Sequence, residues 1–71
     1  MSAVRKHSIT IRGHRTSYSL EEAFQLELER LAALRSTPLA ALVASIDEAR
    51  PRDTNLSSAL RLFVLDSVRN D

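Results

Sequence analysis

The stretch HSITIRGHRTSYSLEE, His7 to Glu22, decides how this chain is read. It opens by alternating polar and β-branched side chains, Ser8, Ile9, Thr10, Ile11, Arg12. Successive side chains of an extended chain point to opposite faces, so this pattern predicts a strand. Gly13 interrupts it, and a second alternating run follows from Arg15 to Leu20. Here Thr16, Tyr18 and Leu20 share one face, and Arg15, Ser17 and Ser19 share the other. The two runs disagree in parity, since Ile9 and Ile11 are odd and Tyr18 and Leu20 even. A bulge at Gly13 would shift the phase and leave one long strand. Alternatively, Gly13-His14 forms a two-residue type II′ turn, with Ile11 facing Thr16 and Ile9 facing Tyr18. Both remain open at this level.

Working outward, the period changes from two to 3.6 after this stretch. Ser19-Leu20-Glu21-Glu22 has the Ser-x-x-Glu form of a capping box, with Ser19 as N-cap. A first helix is expected over about 21–35. Its stripe is Phe24, Leu28 and Leu31, widened by Ala23, Leu26, Ala32 and Leu34. Ser36-Thr37-Pro38 stops that helix and starts the next, about 38–49, with Thr37 as cap and Pro38 at its first position. Leu39, Leu42, Val43 and Ile46 form its apolar face. Pro51 ends it, because a residue preceding proline is steered away from helix. Asn55 or Thr54 can cap a third helix, about 56–69, with Ser57 and Ser58 in its first turn. Its apolar residues include Ala59, Leu60, Leu62, Phe63, Val64, Leu65 and Val68, which exceeds one stripe and predicts burial on more than one side.

Size and composition bound the possibilities. The 71 residues make one domain, 1–71, and so short a chain buries only about 60–65% of its unfolded surface. With no Cys, disulfides and thiolate metal sites are excluded. A partner chain is the remaining way to enlarge the core, and 44% apolar residues supply the material. Apolar runs such as Leu62 to Leu65 are far too short to span a membrane, and no signal-peptide stretch opens the chain. A cytoplasmic protein is expected.

The charge is divided unevenly. Arg5, Lys6, Arg12 and Arg15 give residues 1–20 a formal +4 with no acidic residue. Residues 21–71 carry six Arg and nine Asp or Glu, a formal −3. A basic β element joined to helices suits a polyanion such as double-stranded DNA. A lone strand exposes an edge that invites pairing, so two chains would each give one strand to an antiparallel ribbon. Such a ribbon fits the roughly 12 Å major groove. Arg15, Ser17 and Ser19 would then meet base edges, Arg15 and Ser17 foremost because a capping Ser19 has its hydroxyl engaged. Arg5, Lys6 and Arg12 would add salt-sensitive phosphate contacts, and the start of the second helix at Ser36 and Thr37 could hold a phosphate.

The run RTSYSLEEAFQLELERLA resembles the strand and first helix of ribbon-helix-helix DNA-binding proteins, the Arc/MetJ group. The segments IRGHRTS and NLSSALRLFVL resemble a subgroup of short bacterial members. The resemblance implies a mainly α fold with one or two N-terminal strands, an intersubunit β-ribbon and an intertwined homodimer, to which this chain adds a C-terminal helix. It implies a DNA-binding transcriptional regulator without cofactor. It places base reading on Arg15, Ser17 and Ser19, and phosphate contact on Ser36 and Thr37, with His14 a turn or phosphate-facing residue. The dimer core expected from this plan is Tyr18, Leu20, Phe24, Leu60 and Phe63.

Other chemistries have little support. The only histidines, His7 and His14, have no nearby acidic residue to complete a ligand set. No hydroxyl, imidazole and carboxylate spacing suggests a triad, and a single Gly precludes a glycine-rich phosphate loop. No enzyme activity is expected. The runner-up reading is a homodimeric protein-interaction module. Gly13 divides the two: a bulge favours reading by a narrow ribbon, whereas a turn yields a wider sheet, favouring a partner protein or a shifted DNA mode.

Overall fold

The structure is a computed structural model and describes residues 3–70. Two strands, β1 (Val4–Ile11) and β2 (His14–Glu21), precede three helices, α1 (Glu22–Leu34), α2 (Leu39–Ala49) and α3 (Leu56–Arg69). The strands form an antiparallel hairpin in which Ile11 faces His14, Ile9 faces Thr16 and His7 faces Tyr18. Strand pairing therefore occurs within one chain, and the region 7–20 is two strands rather than one bulged strand.

The turn is Arg12-Gly13, not Gly13-His14. Both central residues have positive φ, +49° at Arg12 and +80° at Gly13, the type I′ geometry that matches strand twist. The register differs by two residues from the Gly13-His14 alternative. A two-residue shift keeps every side chain on its face, so the alternation could not distinguish them. Cross-strand neighbours do. The alternative would set Arg12 opposite Arg15, a like-charge pair that destabilises a ladder. In the observed register Arg15 faces Thr10, and Arg12 reaches Glu48 at 2.9 Å and Asp47 at 3.4 Å at the end of α2.

Ser19 does not cap α1. It lies within β2, and the N-cap is Glu21, without a side-chain cap bond. The strand continues because Ser19 meets α3 there instead, its N–H donating to Ser57 Oγ at 2.9 Å. At the other end α1 closes in a Schellman arrangement. Thr37 N–H donates to the Ala32 carbonyl and Ser36 N–H to the Ala33 carbonyl, with Ser36 at φ +50° in the position glycine usually takes. Pro38 is the N-cap of α2 rather than its first residue. Asn55 caps α3 as expected, accepting from Ser58 N–H at 2.9 Å.

All five elements feed one core. Leu20 of β2, Leu28 of α1, Val43 of α2 and Leu60 of α3 are fully enclosed, and Ile11 of β1 joins them. The α1 stripe is narrower than its sequence suggests. Leu26 and Leu34 face outward, while Gln25 is buried. Tyr18 explains that buried amide: its hydroxyl donates to Gln25 Oε1 at 2.9 Å, and Gln25 Nε2 donates to Glu29 Oε2 at 2.8 Å.

Candidate nucleic-acid interface

The hairpin has two unlike faces. Tyr18, Leu20, Ile9 and Ile11 turn toward the helices. The opposite face takes the even residues of β1 and the odd residues of β2, paired as Lys6 with Ser19, Ser8 with Ser17 and Thr10 with Arg15. Lys6, Ser8, Thr10, Arg15 and Ser17 are exposed, and Ser19 is half-buried. Lys6, Ser8, Arg15, Thr16 and Ser17 surround a shallow depression of about 310 Å³. Glu21, at the far end, carries the one acidic side chain of this face, and Arg61 neutralises it at 2.9 Å. The Glu21 backbone N–H first, and the Arg61 guanidinium second, hold this carboxyl below its ordinary 4.5. Two cations among hydroxyls, with the acid engaged elsewhere, form a surface that attracts anions and offers hydrogen bonds of either sense.

The other predicted site residues are dispersed. Arg5 is exposed on β1 opposite Leu20, and His14 is exposed beside the turn. Arg12 stands at the hairpin tip, half-exposed and paired with Asp47 and Glu48. Ser36 and Thr37 lie at the α1–α2 corner, away in sequence from the hairpin. Both of their N–H groups are used by the end of α1, and the Thr37 hydroxyl donates to the Arg35 carbonyl at 3.0 Å. A phosphate at this corner would rely on the Ser36 hydroxyl and the first N–H groups of α2. Of the residues expected at a dimer core, Tyr18, Leu20 and Leu60 are buried within a single chain, while Phe24 and Phe63 are half-buried. The Arg35 guanidinium sits 5.0 Å from the Phe63 ring centre.

Sequence reasoning missed Ser8 and Thr10. Their signal was the polar parity of the first run, which becomes useful only once the register places them beside Ser17 and Arg15. It also missed Ser57 and Arg61 as partners of the strand, since contacts across some forty positions leave no local pattern.

Two further groups bear on chemistry. His7 stacks on Tyr18 with ring centres 5.3 Å apart, and its buried Nε2 has no hydrogen-bond partner among the described residues. Burial pushes the Tyr18 hydroxyl above its ordinary 10.0, aided by the charge of Glu29 and opposed by the bond to Gln25. No group of three or more His, Cys, Asp or Glu is placed to hold a metal ion among the described residues. No helix is long and apolar enough to cross a membrane, again among the described residues.

Comparison with known proteins agrees with this architecture. Neither the curated proteins nor the solved structures gave a match. The family model described as a ribbon-helix-helix domain matches residues 4–68, nearly the whole chain. Members of that family are generally DNA-binding transcription regulators. With its basic two-stranded ribbon laid on helices, this chain belongs to the ribbon-helix-helix family.

Proposed function

We propose that this protein is a cytoplasmic transcription regulator that binds double-stranded DNA as a homodimer through the outer face of its hairpin. The observation that carries the reading is the face itself: Lys6, Arg15 and four hydroxyl side chains, with Glu21 bound to Arg61. Two such hairpins side by side make four strands at roughly 4.8 Å spacing, about as wide as the major groove. A sheet of that width does not enter the groove edge first. Right-handed twist turns its outer strands away from a surface that its central strands approach. Arg15 and Ser17 on the central strands then face base edges, Arg15 suited to guanine. Lys6, Ser8 and Thr10 on the flanking strands face the phosphates. Arg5, Arg12, His14, Ser36 and Thr37 are secondary phosphate candidates, and Arg12 must first leave Asp47 and Glu48. This is the shifted DNA mode that a turn at Arg12-Gly13 favours.

The test is fluorescence anisotropy with fragments selected from random genomic DNA, repeated across a salt series. Lys6→Ala should weaken binding to all fragments and lower the salt slope by about 1. Arg15→Ala should cost about 1–3 kcal/mol on selected fragments and relax their sequence preference. Unchanged affinity and preference in both variants refutes the interface.

The second reading, a protein-interaction module, is favoured by an apolar groove between α2 and α3. Ile46, Ala49, Pro51, Leu62, Phe63 and Leu65 line this groove of about 480 Å³. Absence of DNA binding at low salt, with a stable dimer, would select it.

A further inference from the structure

The third helix does more than add to the core, because it closes part of the ribbon edge. In a two-residue hairpin, alternate residues direct both backbone groups away from the partner strand. Ser19 is one of them. Its N–H donates to Ser57 Oγ at 2.9 Å, and its carbonyl accepts from the Arg61 guanidinium at 3.4 Å. Arg61 also holds Glu21, the next outward-facing residue, at 2.9 Å. By the same alternation, Ser17 and Arg15 turn their N–H and carbonyl groups outward. No hydrogen bond in the structure uses them among the described residues. The outer edge of β2 is thus closed at its C-terminal half and open at its N-terminal half.

This has a consequence for how two copies can join. An antiparallel strand pairs residues whose numbers add to a constant. A two-fold axis at Ser17 would pair Ser19 with Arg15 of the second copy, which requires the backbone groups that Ser57 and Arg61 occupy. An axis at Thr16 pairs Arg15 with Ser17 of the second copy, and uses only the open groups. We propose that Ser57 and Arg61 form a latch on β2 that fixes the register of the intersubunit ribbon, with its two-fold axis at Thr16. The occupant of the edge is a second copy of this chain, since the open segment is complementary to itself. The latch also sets what the ribbon presents. Arg15 of each copy lies across from Ser17 of the other, and Ser19 stays outside the pairing, against α3. The inference rests on the homodimer proposed above.

The chain has no cysteine, so single-cysteine variants report the register cleanly. Residues directly opposite at a non-hydrogen-bonded position have Cα atoms about 4.5 Å apart, within disulfide range. Diagonal neighbours lie about 7–8 Å apart, too far for a disulfide without backbone movement. Thr16 is exposed, as is Ser17. Under mild oxidation Thr16→Cys should form a covalent dimer and Ser17→Cys should not. In a background carrying Ser57→Ala and Arg61→Ala, cross-linking of Ser17→Cys should rise. Strong cross-linking of Ser17→Cys in the parent background, with none at Thr16→Cys, overturns the latch and leaves the dimer intact. Cross-linking at neither position overturns it as well, and sedimentation equilibrium of the parent protein then separates a dimer joined elsewhere from a monomer, the latter removing the homodimer reading itself.

Discussion

Replacing Tyr18 by Phe isolates one buried polar contact. Tyr18 is 3% exposed and Gln25 5% exposed, and the hydroxyl donates to Gln25 Oε1 at 2.9 Å. Phenylalanine fills nearly the same space, so the ring keeps its packing in the core and its stack on His7. What changes is that Gln25 Oε1 stays enclosed with no donor. An orphaned buried acceptor costs about 1–3 kcal/mol, more than the net worth of the bond. The Gln25 amide nitrogen keeps the exposed Glu29 as acceptor, so only the oxygen half of the amide is left unpaired. The lower part of that range therefore applies, about 1–2 kcal/mol. In a domain of this size each kcal/mol lowers Tm by roughly 4–8 °C, so a fall of roughly 4–16 °C is expected. Thermal melts followed by far-ultraviolet circular dichroism measure it. Tyr18→Phe combined with Gln25→Leu should recover most of the loss, because both partners are then apolar. A single variant melting within about 1 °C of the parent, or a double variant worse than the two singles together, refutes the reasoning.

Tyr18 is the sole tyrosine and there is no tryptophan, so the phenolate absorbance reports this residue alone. Its folded-state pKa is raised, so the stability tied to its neutral form is present below 10.0 and lost as pH rises through the folded value. The absorbance midpoint should lie above 10.0, and a midpoint at or below 10.0 in folded protein contradicts the burial. Glu21 runs the other way. Its depressed pKa contributes stability above 4.5 that is lost as pH falls through the folded value. Arg61→Ala should raise the Glu21 midpoint measured by NMR toward 4.5 without fully reaching it, because the backbone N–H contribution remains; an unmoved midpoint contradicts the pairing. Gly13→Ala meets nothing within 4 Å, yet Gly13 sits at φ +80°. The loss should be about 1 kcal/mol of backbone strain in a urea titration, with Gly13→Asn milder.

Much of the architecture was legible because it is written locally. The alternation of Ile9, Ile11, Tyr18 and Leu20 announced two β runs facing one core. The stop at Ser36-Thr37-Pro38, the Pro51 break and the Asn55 cap marked the helices to within a residue or two. The polar parity of Arg15 and Ser17 marked the face that the structure exposes. The misreadings came from residues whose local signal was outbid by a distant contact. Ser19 has capping chemistry, but α3 takes its backbone and keeps it in the strand.

What the order of residues determined by itself was the periodicity, and therefore which side of each element is apolar and where each element ends. Tertiary structure decided the hairpin register. Two registers two residues apart bury the same faces, and cross-strand charge together with the reach of Arg12 to α2 separates them. Tertiary structure also decided which strand edge is open, because a backbone N–H or carbonyl carries no side-chain label and its partner depends on which helix lies beside it.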